Sequence, residues 1–140
     1  MLTPCKVLTP VEEVKLFVNR IPRNYCDRVW LFPPGEVTEP VCDWSSDNPD
    51  QNCKLLLQFL EEFKKSGWDV GVLANEEIYD EYYGKCEALS QYPLFWTPEV
   101  LDYDESLANY KPFGGWLKPA KKLLDGEFVC KVPFLKIYQP

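Results

Sequence analysis

Acidic side chains gather in two stretches of the chain, and each stretch follows an apolar run. Glu36, Glu39 and Asp43 come after the run Val29–Phe32. Glu99, Asp102, Asp104 and Glu105 come after the run Pro93–Trp96. If the two runs are strands of one sheet, the stretches could face each other and supply a pair of carboxylates for general acid–base catalysis. Loop carboxylates are more often merely solvated, so this pattern alone does not define a catalytic site.

Cysteine is the other residue type that could carry chemistry. The chain contains six cysteines and no histidine; the cysteines are Cys5, Cys26, Cys42, Cys53, Cys86 and Cys130. No two of them form a C-x-x-C pair, so the ligand spacing of a zinc site is missing and we expect no metal or cofactor. An even count allows three disulfides in about fifteen pairings. Buried free thiols are slightly favoured, because no secretory signal is visible.

The charge of the chain argues against nucleic-acid binding. It has 15 basic and 22 acidic residues, a net charge of −7. Its nearest approach to a basic patch is short and consists of Lys118, Lys121 and Lys122. Phosphate recognition needs a larger basic surface.

The sequence also shows no targeting segment. No apolar run approaches the ~20 residues of a membrane-spanning helix. Met1–Pro4 lacks the basic start and apolar stretch of a signal peptide. We therefore expect a cytoplasmic protein, or a secreted or luminal one if the cysteines are paired. The 140 residues, 46% of them hydrophobic, are expected to form one domain over 1–140.

Hydrophobic spacing predicts alternating helices and strands. Helices are expected between Pro10 and Pro22, from Pro49 to Lys65 with Asn48 as the cap, and after the cap Asn75. Strands are expected at 29–32, 69–73, 93–96, 120–124 and 128–138. The predicted core contains Leu56, Phe59, Leu60, Val70, Val72, Leu94 and Trp96. The alternation predicts parallel pairing, and the late strands without helices favour an irregular β/α barrel.

Several short stretches carry a resemblance to a known family. They are Trp30-Leu31, Asn52-Cys53, Gly67–Val72, Tyr92–Trp96 and Lys111–Pro119, and the most specific piece is Phe113-Gly114-Gly115-Trp116. From about Val29 to its end, the chain resembles the family-25 glycoside hydrolases, the muramidase-type lysozymes. The resemblance implies an irregular β/α barrel that gathers carboxylates at its strand ends to cleave the glycan of bacterial peptidoglycan.

The positions where the resemblance expects catalytic residues hold other side chains. The family's Trp-Leu-Asp-x-Glu strand places Phe32 at the Asp position and Pro34 at the Glu position. Its late Asp falls on Leu135, the Asn partner on Ile137, and a further acid near Val100. The earliest catalytic Asp lies on a first strand for which this chain shows no counterpart. The resemblance therefore implies a degenerate, incomplete barrel of the lysozyme type with no catalytic residues.

Three functions are compatible with this sequence. The leading interpretation is a non-catalytic structural or protein-interaction component of a larger assembly, such as a cytoskeletal or organellar one. The second is a glycan-binding module that uses Trp44, Trp96, Phe113 and Trp116 as stacking platforms. The third is a hydrolase whose acids have moved to the two acidic stretches.

Overall fold

The structure is a computed structural model, and it describes residues 9–25, 28–32, 44–129 and 132–140, with side chains over 9–24, 28–32, 44–125 and 137–140. Within these ranges the helices are α1 (Pro10–Arg20), α2 (Pro49–Lys65) and α3 (Glu76–Tyr82). Short 3-10 turns lie at Arg23–Tyr25 and Glu87–Gln91. The strands are β1 (Val29–Leu31), β2 (Val70–Ala74), β3 (Leu94–Trp96), β4 (Lys121–Val129) and β5 (Val132–Tyr138).

The strands form one sheet in the order β1-β2-β3-β4-β5. The first four run parallel to their neighbours, and β4 pairs with β5 in the antiparallel direction. The segment that joins β1 to β2 contains α2, and the one that joins β2 to β3 contains α3, as the alternation predicted. No pairing joins β1 to β5 in the described part of the chain, so the sheet is not closed. The predicted α/β fold with parallel pairing is confirmed, and its sheet is open.

Alternate residues of the strands separate two apolar clusters. The larger cluster packs one face of the sheet against the helices and contains Leu31, Val72, Leu94, Leu56 and Phe59, among others. The smaller cluster contains Trp30, Leu73 and Phe95, with Phe32, Ala120 and Leu123 packed against it. Successive side chains of a strand point to opposite faces, which accounts for the division.

The predicted core is confirmed. All seven of its members are buried, from Leu56 and Val72 at 0% exposure to Trp96 at 8%. Gly71 of β2 is needed for this packing, because a Cβ at that position would overlap the Trp30 ring and lie 2.7 Å from the Pro93 carbonyl oxygen. A residue without a side chain therefore lets the Trp30 ring lie against β2.

The ends of the helices follow the sequence signals with one exception. Asn75 caps α3 by accepting a 2.8 Å hydrogen bond from the Ile78 amide. The prediction that Asn48 caps α2 is wrong in its detail: α2 begins at Pro49, but the Asn48 side chain makes no capping hydrogen bond. Its backbone, at φ −130° and ψ 61°, is outside the extended conformation typical of a capping residue. The buried Asn52 instead donates a 2.7 Å hydrogen bond to the Ser45 carbonyl oxygen.

A disulfide joins Cys53 of α2 to Cys86, which precedes the second 3-10 turn. Its Cα atoms are 6.0 Å apart, and 33 residues separate the two cysteines in the chain. The preference for free thiols is therefore wrong for these two residues. Local spacing could not reveal the pair, because its members meet only where α2 packs near the second 3-10 turn. The other four cysteines lie outside the described residues.

Candidate functional site

The end of β1 is the first place where the resemblance expects an acid. Phe32 stands there, partly buried, and packs on the smaller apolar cluster next to Trp30. The Trp30 ring contacts Phe95 edge to face at 5.3 Å between centroids. The Arg28 guanidinium lies 5.4 Å from the Trp30 ring centroid and the Lys121 ammonium 5.8 Å from it. Phe32 therefore packs on an aromatic cluster that is bordered by two cations.

Several other positions of interest lie outside the described residues or side chains. Pro34 lies outside the described residues, as do Glu36, Glu39 and Asp43. Leu135 belongs to β5, but its side chain is outside the described ones. Ile137 is 52% exposed.

A pocket lies beyond the carboxyl ends of β2 and β3, the end at which α/β proteins commonly bind ligands. Its volume is about 500 Å³, and three of its lining residues are acidic: Glu76, Glu99 and Asp102. Val100, near which the resemblance expects a further acid, also lines this pocket and is 81% exposed. The other lining residues include Asn75, Trp96, Asn109, Lys111 and Phe113. The pocket therefore keeps carboxylates beside the position at which the acid is missing.

Asp102 is held by a buried lysine. Lys122 of β4 has a fully buried side chain, and its ammonium donates a 2.9 Å hydrogen bond to Asp102 Oδ1. The same ammonium donates to the carbonyl oxygens of Asp104 at 2.8 Å and Ser106 at 3.2 Å. The hydrogen bond from Lys122, with a second from the Asp104 amide, holds the pKa of Asp102 below its ordinary value of 3.8. Asp102 is thus an ionised carboxylate at neutral pH.

The sequence offered a weak signal for this lysine, which we interpreted only as part of a short basic patch. Within β4, Lys122 alternates with Leu124 on one face, and Leu124 is buried. In contrast, Lys121 faces the smaller cluster near Trp30. The two neighbouring lysines therefore lie on opposite faces of the sheet and form no common patch.

An aromatic cluster adjoins the pocket, and two of its rings, Trp96 and Phe113, line it. Trp96 and Tyr110 meet edge to face at 5.1 Å, and Phe113 and Trp116 at 5.5 Å. The turn between Phe113 and Trp116 needs two glycines, since Gly114 and Gly115 have φ values of +58° and +93°. The most specific piece of the resemblance, Phe113–Trp116, is therefore a tight turn, closed by a 2.9 Å hydrogen bond from the Trp116 amide to the Phe113 carbonyl oxygen.

The Tyr110 hydroxyl anchors that turn. It donates a 2.8 Å hydrogen bond to the Trp116 carbonyl oxygen. Burial raises the pKa of Tyr110 to about 12, and the negative charge of Glu76 adds to the effect. The hydroxyl therefore stays protonated over the physiological range and remains a hydrogen-bond donor.

The aromatic residues proposed as sugar platforms are largely enclosed. Trp44 is 0% exposed, Trp116 4%, and Trp96 and Phe113 8% each. Their rings pack on one another or within the core, so little ring face is left for stacking on a sugar. Among the described residues, no group of three or more Cys, Asp or Glu side chains is arranged to hold a metal ion.

Comparison with known proteins identifies the family of this chain. The family model described as lysozyme-like protein 1 matches residues 2–123. The chain therefore belongs to the lysozyme-like protein 1 family. It is also 28% identical over 103 residues to a curated protein of Dictyostelium discoideum, the probable GH family 25 lysozyme 5. That match covers 71% of this chain and 44% of the relative, so the chain spans less than half the length of that lysozyme.

No solved structure shows a significant match to this chain. None of the helices in the described ranges is both long and apolar enough to cross a membrane. The Cys53–Cys86 disulfide fits a secreted or luminal protein better than the cytoplasmic one expected from the sequence.

Proposed function

We propose that this chain is a non-catalytic member of the lysozyme-like family that acts by binding a protein partner, as a component of a larger assembly. The observation that carries the proposal is Phe32. Where the resemblance expects a catalytic aspartate, Phe32 packs on the cluster of Trp30, Leu73 and Phe95. A phenyl ring can neither donate nor accept a proton, and its burial there stabilises the fold instead.

The state of Asp102 supports the same proposal. Glycoside cleavage requires one carboxylic acid that is protonated near the working pH. Lys122 lowers the pKa of Asp102 and so keeps this carboxylate ionised. The Lys122–Asp102 pair also ties the segment after β3 to β4. Asp102 therefore fits a structural role better than the role of a general acid.

The disulfide indicates the kind of compartment in which this function would be carried out. Disulfides form and persist in oxidising compartments. Because Cys53 is bonded to Cys86, we propose that the chain acts in a secreted or luminal setting. Identification of the chains that co-purify with the native protein tests the partner, and its fractionation tests the compartment.

A cell-wall digestion assay tests the absence of catalysis. The purified chain is incubated with bacterial cell walls from acidic to neutral pH, beside an active family-25 muramidase, and released reducing ends are measured. We expect none above background. Turnover that disappears in Glu99→Gln but persists in Glu105→Gln would contradict the proposal. Glu105 is a suitable control because it is an exposed carboxylate of the same segment that does not line the pocket.

A hydrolase with relocated acids is the second candidate, and one observation favours it. Glu76, Glu99 and Asp102 line the same pocket at the ends of β2 and β3. In such an enzyme the ionised Asp102 would stabilise developing positive charge, and Glu76 or Glu99 would be the acid. The same assay decides between the two candidates, because only the second requires Glu76 or Glu99 for turnover.

A further inference from the structure

We call the pocket lined by Glu76, Glu99 and Asp102 the acidic pocket. A second groove adjoins it on the side of α3. Its volume is about 570 Å³, and we call it the α3 groove. Its apolar lining consists of Ile78, Tyr82, Pro98, Leu101 and Leu123. Ile78, Tyr82, Leu101 and Leu123 are all partly exposed, so a side chain of another molecule can reach them. Burial of an apolar side chain in such a groove is favourable.

Three carboxylates border this apolar lining. Glu77 and Glu81 come from α3, and Glu99 comes from the segment after β3. Glu77 and Glu81 are four residues apart, so they lie on one side of the helix and repel each other. The residues that line the groove include no lysine or arginine. The salt bridges found in the described part of the chain involve none of these three carboxylates.

We propose that the α3 groove binds a basic segment of a protein partner, with one apolar side chain in the groove and lysine or arginine side chains on either side of it. The proposal deepens the partner-binding role proposed above and rests on it. The occupant follows from charge complementarity: cations would neutralise the repulsion among the three carboxylates, and the apolar side chain would cover the exposed lining. The net charge of −7 on the chain favours the same kind of partner.

Nuclear magnetic resonance tests the proposal with defined peptides. The probe is a pentapeptide with one leucine between two pairs of lysines, titrated into the isotope-labelled full chain. We expect saturable shifts confined to the amides of α3 and of the segment that contains Leu101. A peptide with serine in place of leucine tests the apolar lining, and one with glutamates in place of the lysines tests the charge. Both should bind more weakly than the probe.

Two double variants that remove the same number of charges distinguish binding at the α3 groove from general attraction to the negatively charged chain. E77Q/E81Q removes two carboxylates of the groove, and D69N/D80N removes two exposed carboxylates that do not line it. Asp80 is a close control because it lies on α3 itself. We expect the Kd for the probe to rise about fivefold in E77Q/E81Q and to change by less than about twofold in D69N/D80N.

Several results would overturn the proposal. They are the absence of shifts at the groove, equal weakening in both double variants, and equal binding of the serine peptide. Concentration-dependent shifts of the same amides without peptide would instead assign the groove to a second copy of this chain. Cleavage of cell walls by the parent would refute the non-catalytic role whatever the peptide does. A failure confined to the peptide experiment would refute only the assignment of the groove.

Discussion

The carboxyl ends of β1 and β3 both lack the acid expected from the family resemblance, but they differ in what replaces it. At the end of β1, Phe32 is partly buried against the smaller apolar cluster. At the end of β3, Val100 is 81% exposed, and Glu99 and Asp102 line the pocket beside it. The residue at the end of β1 has become part of an apolar cluster, whereas the end of β3 remains a surface with exposed polar side chains.

This difference limits where a function can be located. A partly buried apolar replacement contributes to stability, so a return to a carboxylate there would remove packing. An exposed replacement contributes little, and the adjacent Glu99 lines both the pocket and the α3 groove. We therefore infer that any binding role of this chain is carried by the β3 end and the adjoining α3 groove.

The largest effect that we predict tests how the β3 end is held. Lys122→Met removes the buried donor to Asp102 and to the carbonyl oxygens of Asp104 and Ser106. The two carbonyls then lose a partner, and we expect the free energy of unfolding to fall by about 3 kcal/mol. Chemical denaturation measures this change.

The neighbouring lysine is the control for that variant. Lys121 faces Trp30 and makes none of these three hydrogen bonds, so Lys121→Met should cost at most about 1 kcal/mol. Equal losses in the two variants would show that Lys122 has no special role in holding the segment after β3.

A smaller effect compares the two strand ends directly. Phe32→Asp loses the apolar contact with the Trp30 cluster, so we expect a loss of about 2 kcal/mol. Val100→Asp changes an exposed side chain and should alter stability by no more than about 0.5 kcal/mol. Thermal or chemical unfolding of both proteins provides the measurement.

The same pair of variants also bears on activity. We expect neither to digest cell walls, because one restored carboxylate does not supply the pair that the reaction requires. A Phe32→Asp protein as stable as the parent would show that the β1 end is open rather than packed. The contrast between the two strand ends would then be lost.

The sequence predicted the features that depend on neighbouring residues. The spacing of Leu56, Phe59 and Leu60 placed α2 and its buried side, and Asn75 marked the start of α3. It did not predict contacts between distant parts of the chain. Cys53 and Cys86 are 33 residues apart, and the partners of Lys122 precede it by 16 to 20 residues.

Those contacts depend on which strands become neighbours, and no local pattern contains that information. The acidic pocket was predictable only in part. The resemblance indicated Val100, and the pattern of acids indicated Glu99 and Asp102. The inclusion of Glu76 required the pairing of β2 with β3 to be known.

The smallest effect that we predict is a dependence of stability on pH at the β3 end. The hydrogen bond from Lys122 lowers the pKa of Asp102 below its ordinary value of 3.8, so the folded chain binds a proton there less readily than the unfolded chain. The stability that this group contributes is therefore fully present above 3.8 and is lost as the pH falls through the folded pKa. Asp102→Asn removes the titrating group. We expect the difference in free energy of unfolding between the parent and Asp102→Asn to be constant at neutral pH and to shrink below about pH 4. In a Lys122→Met background the trend should weaken, because the largest cause of the lowered pKa of Asp102 is then removed. A difference that stayed constant down to pH 2 would mean that the Lys122–Asp102 pair does not stabilise the segment after β3, and the hydrogen bonds from Lys122 to the Asp104 and Ser106 carbonyl oxygens would then be what holds that segment to β4.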